Sequence, residues 1–104
     1  MARMIMLFNH PKDTTAFDKH YFETHVPLAK KLPGLRKYEV SRGPIATRGG
    51  VSDFHLAAML HFDDLEAIKR AFASAEGQAC GADRRAFAPD DAASLVLLFE
   101  CREV

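Results

Sequence analysis

The nine-residue run from Phe54 to Phe62, FHLAAMLHF, constrains the fold of this chain more than any other segment. Alternation sets Phe54, Leu56, Ala58, Leu60 and Phe62 on one face of a strand. His55, Ala57, Met59 and His61 take the other face, and neither side carries an acid, a lysine or an arginine. Such a strand belongs in the middle of a sheet with both sides covered. Arg3 to Asn9 is a second strand of this kind, short, apolar on both faces and closed by His10-Pro11.

Between these strands the period changes to that of a helix. Thr15 to Asp18 has the spacing of a capping box, so the helix is predicted to start there. Phe17, Tyr21, Phe22, Leu28, Ala29 and Leu32 form its apolar stripe, an arc of about 140° at about 100° per residue. His25 falls near the middle of that arc. Pro27 points to solvent and should bend the helix without ending it; Pro33-Gly34 ends it. Arg36 to Gly43 alternates Lys37, Glu39 and Ser41 against Tyr38 and Val40, as a half-exposed strand does.

Gly43 to Asp53 is then a long glycine- and proline-bearing connection. Beyond the Phe54–Phe62 strand, Asp63 with Glu66 three residues on should cap a helix that buries Leu65, Ile68 and Phe72. Ser74 to Phe87 reads as a shorter helix weakened by Gly77 and Gly81. Pro89-Asp90-Asp91 reads as a turn, and Leu95 to Cys101 as the last strand.

The order βαββα(α)β is a duplicated split βαβ: one α+β domain over residues 1–104, ferredoxin-like, with an antiparallel four-stranded sheet and helices on one face. Its first and third strands lie centrally, and these are the two that are apolar on both sides. The face away from the helices then carries Ala57, Met59 and their neighbours, too apolar to meet water. A second copy laid sheet to sheet would cover it, so a C2 homodimer is expected.

Fourteen basic residues balance fourteen acidic ones, so no global field draws the chain to nucleic acid or to an anionic membrane. Lys30, Lys31, Arg36 and Lys37 cluster without an aromatic ladder and read as a solvated helix end, and Arg84 and Arg85 as a solvated helix face. Cys80 and Cys101 show no disulfide or metal spacing, which suits free thiols in a cytoplasmic, soluble protein. No apolar run approaches a membrane span. His20 and His25 are five apart and diverge on an α-helix, so they form no metal pair, and His10 and His20 read as exposed.

The stretch FDKHYFETHVPLA at 17–29, with LPGLR at 32–36, resembles the EthD family, named for the degradation of ethyl tert-butyl ether. The N-terminal strand, the Phe54–Phe62 strand, SAEG at 74–77 and Phe87-Ala88 are similar to it as well. The resemblance implies a dimeric α/β-barrel in which two sheets close face to face. It also implies kinship with small barrel enzymes that isomerise lactones, oxidise polyketide quinol precursors without a cofactor, or degrade haem. Oxidoreductase of a monooxygenase-like kind is the activity most often attached to it, with isomerase or lyase chemistry as the other course.

His25 matches the family's histidine. A neutral imidazole in an apolar pocket can take or give a proton near neutral pH, so His25 is the expected general acid/base. Tyr21, one turn earlier, would orient a ligand or hydrogen-bond the ring. Tyr38, His55, Met59 and His61 are the expected ligand-binding residues, the last three on the face assigned to the barrel interior. The ligand would be a small apolar or aromatic oxygenated molecule, with no cofactor and no metal. The rival reading is a binding or accessory protein in which His25 is structural, bonded to a carbonyl freed by Pro27. Haem binding ranks last, since the chain has no tryptophan and no haem motif.

Overall fold

A computed structural model describes residues 1–89 and 94–104. Along the chain come β1 (Ala2–Asn9), α1 (Thr14–His20), a π-helical turn (Tyr21–His25), α2 (Val26–Ala29) and β2 (Lys37–Val40). A ribbon of β3 (Ala46–Thr47) and β4 (Gly50–Val51) follows, then β5 (Phe54–Phe62), α3 (Leu65–Ala73), α4 (Ala75–Phe87) and β6 (Ser94–Glu100). The four long strands form one antiparallel sheet in the order β2-β5-β1-β6. The fold is α+β and ferredoxin-like, and the two strands apolar on both faces are the central pair.

The core lies between the sheet and the helices. Met4, Met6 and Phe8 of β1 and Leu56, Ala58, Leu60 and Phe62 of β5 pack with Phe17, Tyr21, Ala29, Leu32 and Ile68. The register sets Ile5 beside Met59 and Leu97, and Leu7 beside Ala57 and Leu95, on the open face. Among the described residues no helix covers that face. Every residue from Leu95 to Phe99 is large, apolar and 39–53% exposed.

Several local expectations are corrected. The first helix starts earlier than the Thr15 box: Asp13 Oδ1 accepts from the Ala16 N–H at 3.0 Å. Asp64, not Asp63, caps α3 by accepting from the Ala67 N–H at 2.7 Å. Asp63 instead takes two hydrogen bonds from Arg36, at 2.8 and 3.1 Å. The Gly43–Asp53 connection holds the β3–β4 ribbon, with a positive φ of 81° at Gly43. Asp90 and Asp91 of the expected turn lie outside the described residues.

One irregularity relocates a candidate residue. Asn9 pairs with Phe54 and Phe8 with Leu56, so His55 is the extra residue of a β-bulge. The bulge turns His55 away from the open face, and its Nε2 meets Asp18 of α1 at 2.7 Å. His55 therefore does not lie on the open face expected to form a barrel interior.

Candidate functional site

The helix that follows β1 changes its winding just before Pro27. The Val26 N–H bonds the Tyr21 carbonyl, five residues back, and closes a π turn. Pro27 has no N–H to offer the carbonyl four residues before it, so the regular ladder is already broken there. The wider turn has two consequences. Phe22 swings outward to 47% exposure, against the expectation that it joins the buried stripe. His20 and His25, which would point about 140° apart on an α-helix, come to one side.

Asp83 of α4 occupies that side. Its Oδ1 lies 2.8 Å from His20 Nε2 and its Oδ2 lies 2.9 Å from His25 Nδ1. His20 is thus held, not free on the surface as expected. A carboxylate only accepts, so His25 donates from Nδ1 and carries its lone pair on Nε2. The Nε2 edge meets Cys80 Sγ at 3.9 Å. Phe87, one turn beyond Asp83, lays its ring 5.1 Å from that of His20 and 4.9 Å from that of His25.

His25 and Cys80 line a cavity of about 250 Å³ between the sheet and α4. Met4, Met6, Ala58 and Leu60 form its apolar wall, and Tyr21, Tyr38 and Arg84 add polar groups. The Tyr21 and Tyr38 hydroxyls hydrogen-bond each other. Tyr21 therefore does not bond the imidazole; its ring lies 5.3 Å from that of His25.

Burial sets the charges here. It lowers the His25 pKa below the usual 6.5, while the hydrogen bond and charge of Asp83 oppose the shift. The imidazole is neutral at neutral pH. Burial pushes Tyr21 well above the ordinary phenol range, with Tyr38 adding to the rise, and pushes Tyr38 up to about 12. Cys80 is pushed up to about 11, by burial first and by Asp83 second. The cavity thus sets one neutral imidazole among un-ionised phenols and a thiol, with the cationic Arg84 and Arg85 on the same lining.

Residues 9–91 match the EthD domain. The chain belongs to the EthD family. An uncharacterized 11.0 kDa protein from the thcB-thcC intergenic region of Rhodococcus erythropolis is 35% identical over 88 residues, which cover 85% of this chain and 84% of that protein. The crystal structure of an EthD family protein from Bacillus halodurans superposes with a TM-score of 0.88 at 37% identity, covering 98% of this chain and 99% of that one. SnoaB of Streptomyces nogalater, a cofactor-independent oxygenase, shares the fold at a TM-score of 0.65 and 20% identity, covering 99% and 94%.

In this EthD domain the structure brings His25, Tyr21 and Tyr38 together and leaves the other expected ligand residues elsewhere. Met59 lies on the open face, and His61 beside it donates from Nε2 to Glu39 Oε1 at 2.7 Å. Arg84 and Arg85 line the cavity and are not merely a solvated face. Sequence reasoning missed Asp83 and the place of Cys80. The signal was present: Cys80, Asp83, Arg84 and Phe87 have i, i+3, i+4, i+7 spacing, one side of a helix. Among the described residues no group of acids, histidines and cysteines is arranged to hold a metal, and no helix is long and apolar enough to cross a membrane.

Proposed function

We propose that this EthD-family chain is a small cofactor-independent enzyme of the oxidoreductase or isomerase type, with His25 as general base. The observation that carries this reading is the Asp83–His25 pair, with the second nitrogen of the imidazole on a largely apolar cavity. Its volume of about 250 Å³ falls below the ~300–1,000 Å³ usual for drug-sized ligands. A single or fused aromatic ring bearing oxygen suits it.

The chemistry follows from the charges. A hydroxyl of the substrate gives its proton to His25 Nε2, and the O–H bonding pair stays on the substrate as a phenolate or enolate. Asp83 stabilises the imidazolium that results and holds the ring in the needed tautomer. Tyr21 donates to Tyr38, which leaves the less buried Tyr38 O–H free to donate to the developing oxyanion. An electron-rich anion of this kind starts both isomerisation and reaction with dioxygen; SnoaB supports the second course by fold alone.

The enzyme works as a homodimer in this reading, since a second copy would cover the open face and the bare β6. The test is turnover of hydroxylated aromatics, followed by oxygen uptake and by product analysis, for the wild type and His25→Gln. Loss of about a hundredfold or more is expected of a general base. Full activity in the variant overturns the assignment. Ligand binding with no turnover by the wild type marks the accessory-protein alternative.

A further inference from the structure

A second cavity, sharing no lining residue with the first, opens on the other side of the π turn. It measures about 550 Å³ and lies between α1, the bulged start of β5 and the β3–β4 ribbon. Phe22, Phe54, Ile45 and Val51 are its apolar surfaces, and His10, Asp18, Arg42 and His55 its ionisable ones. The outward swing of Phe22 puts a half-exposed aromatic ring on this wall. The bulge puts His55 there too, with its side chain only 16% exposed.

The charges choose the ligand. Asp18 is committed to His55 at 2.7 Å, and the His10 ring sits 5.2 Å from that of His55. Arg42 has no partner among the described residues. The cavity therefore presents one open cation, two imidazoles and aromatic walls. We infer that it binds a small aromatic carboxylate, with the ring against Phe22 and Phe54 and the carboxylate on Arg42. A guanidinium suits that anion because its planar fork can donate two parallel hydrogen bonds.

NMR titration of the intact protein with benzoate tests the assignment. At about 10 mM a millimolar site is mostly filled. Shifts are expected at residues 41–45, 51–56, His10 and Phe22, and not at His25 or Cys80. Benzyl alcohol, which keeps the ring and loses the charge, should bind about tenfold more weakly, and Arg42→Gln should weaken benzoate by a similar factor. Arg42 is exposed, so that change leaves the fold intact. Absence of shifts, shifts confined to the His25 cavity, equal binding of the alcohol, or unchanged affinity in Arg42→Gln would each overturn the inference. A failed base at His25 touches none of these readings.

Discussion

His20 and His25 hold the two oxygens of one carboxylate, Asp83, although five residues separate them in the chain. The π turn makes this possible. With one more residue per turn, positions five apart stack as positions four apart do in an α-helix. The outer histidine and the acid thus fix the position of the inner imidazole, and Phe87 wedges both rings from α4.

That arrangement fixes how stability depends on pH. The His25 pKa is lowered in the folded chain, burial outweighing Asp83. Between the folded and unfolded pKa values the unfolded chain binds the extra proton, so stability rises with pH. It is fully present above the unfolded value of 6.5 and is lost as pH falls from there through the folded pKa. Asp83→Asn removes the opposing influence and should carry the His25 pKa further down, extending the loss to lower pH. Imidazole NMR titrations and melting temperatures between about pH 7.5 and about pH 5 check both statements. A His25 pKa that rises in Asp83→Asn contradicts them.

The Tyr21–Tyr38 hydrogen bond should behave non-additively. Tyr21 is 1% exposed, so Tyr38→Phe strands its hydroxyl without a partner in the core. Such an orphan costs about 1–3 kcal/mol. Tyr21→Phe leaves Tyr38, which is only half-buried, and should cost less. The double variant removes both hydroxyls and should be more stable than Tyr38→Phe alone. Urea unfolding of the three variants measures the cycle; strict additivity would count against the pairing.

Gly77 and Gly81 should respond to alanine with opposite signs. A Cβ at Gly77 would stand 2.1 Å from the Ala71 carbonyl oxygen and 2.4 Å from the Phe72 Cα, both backbone atoms at the end of α3. The two helices would have to separate, at a cost of about 1–3 kcal/mol or more. A Cβ at Gly81 meets only the movable end of Arg85, at 3.4 Å. There the gain in helix propensity, up to ~1 kcal/mol, should prevail. The same unfolding assay decides it, and a neutral Gly77→Ala would show that α3 and α4 are not so closely seated.

Strand order and the bare sheet face were legible because a period of two maps directly onto faces. Phe54 to Phe62 and Arg3 to Asn9 left no other place for the central strands. Three features were not legible. The π turn defeats a wheel drawn at a constant angle, so Phe22 was placed inside and His20 apart from His25. The bulge at His55 reverses one side chain without leaving a mark in the alternation. Asp83 escaped because a search for apolar stripes passes over a stripe that carries an acid and an arginine.

The open face gives the last test. Ile5, Leu7, Ala57, Met59, Leu95, Leu97 and Phe99 share it by register, and Leu97 is 43% exposed beside Ile5. At about 25 cal/mol per Å² of apolar surface removed from water, covering such a face favours association by several kcal/mol. Leu97→Arg sets a charge at its middle, where a sheet-to-sheet contact would have to desolvate it without a partner. Sedimentation equilibrium should show twice the chain mass for the wild type and one chain mass for the variant. The variant's own fold should survive, because an arginine at a position exposed in one chain meets water once the partner leaves. A wild type that sediments as a single chain would remove the homodimer from the proposed function and leave the His25 cavity to stand by itself.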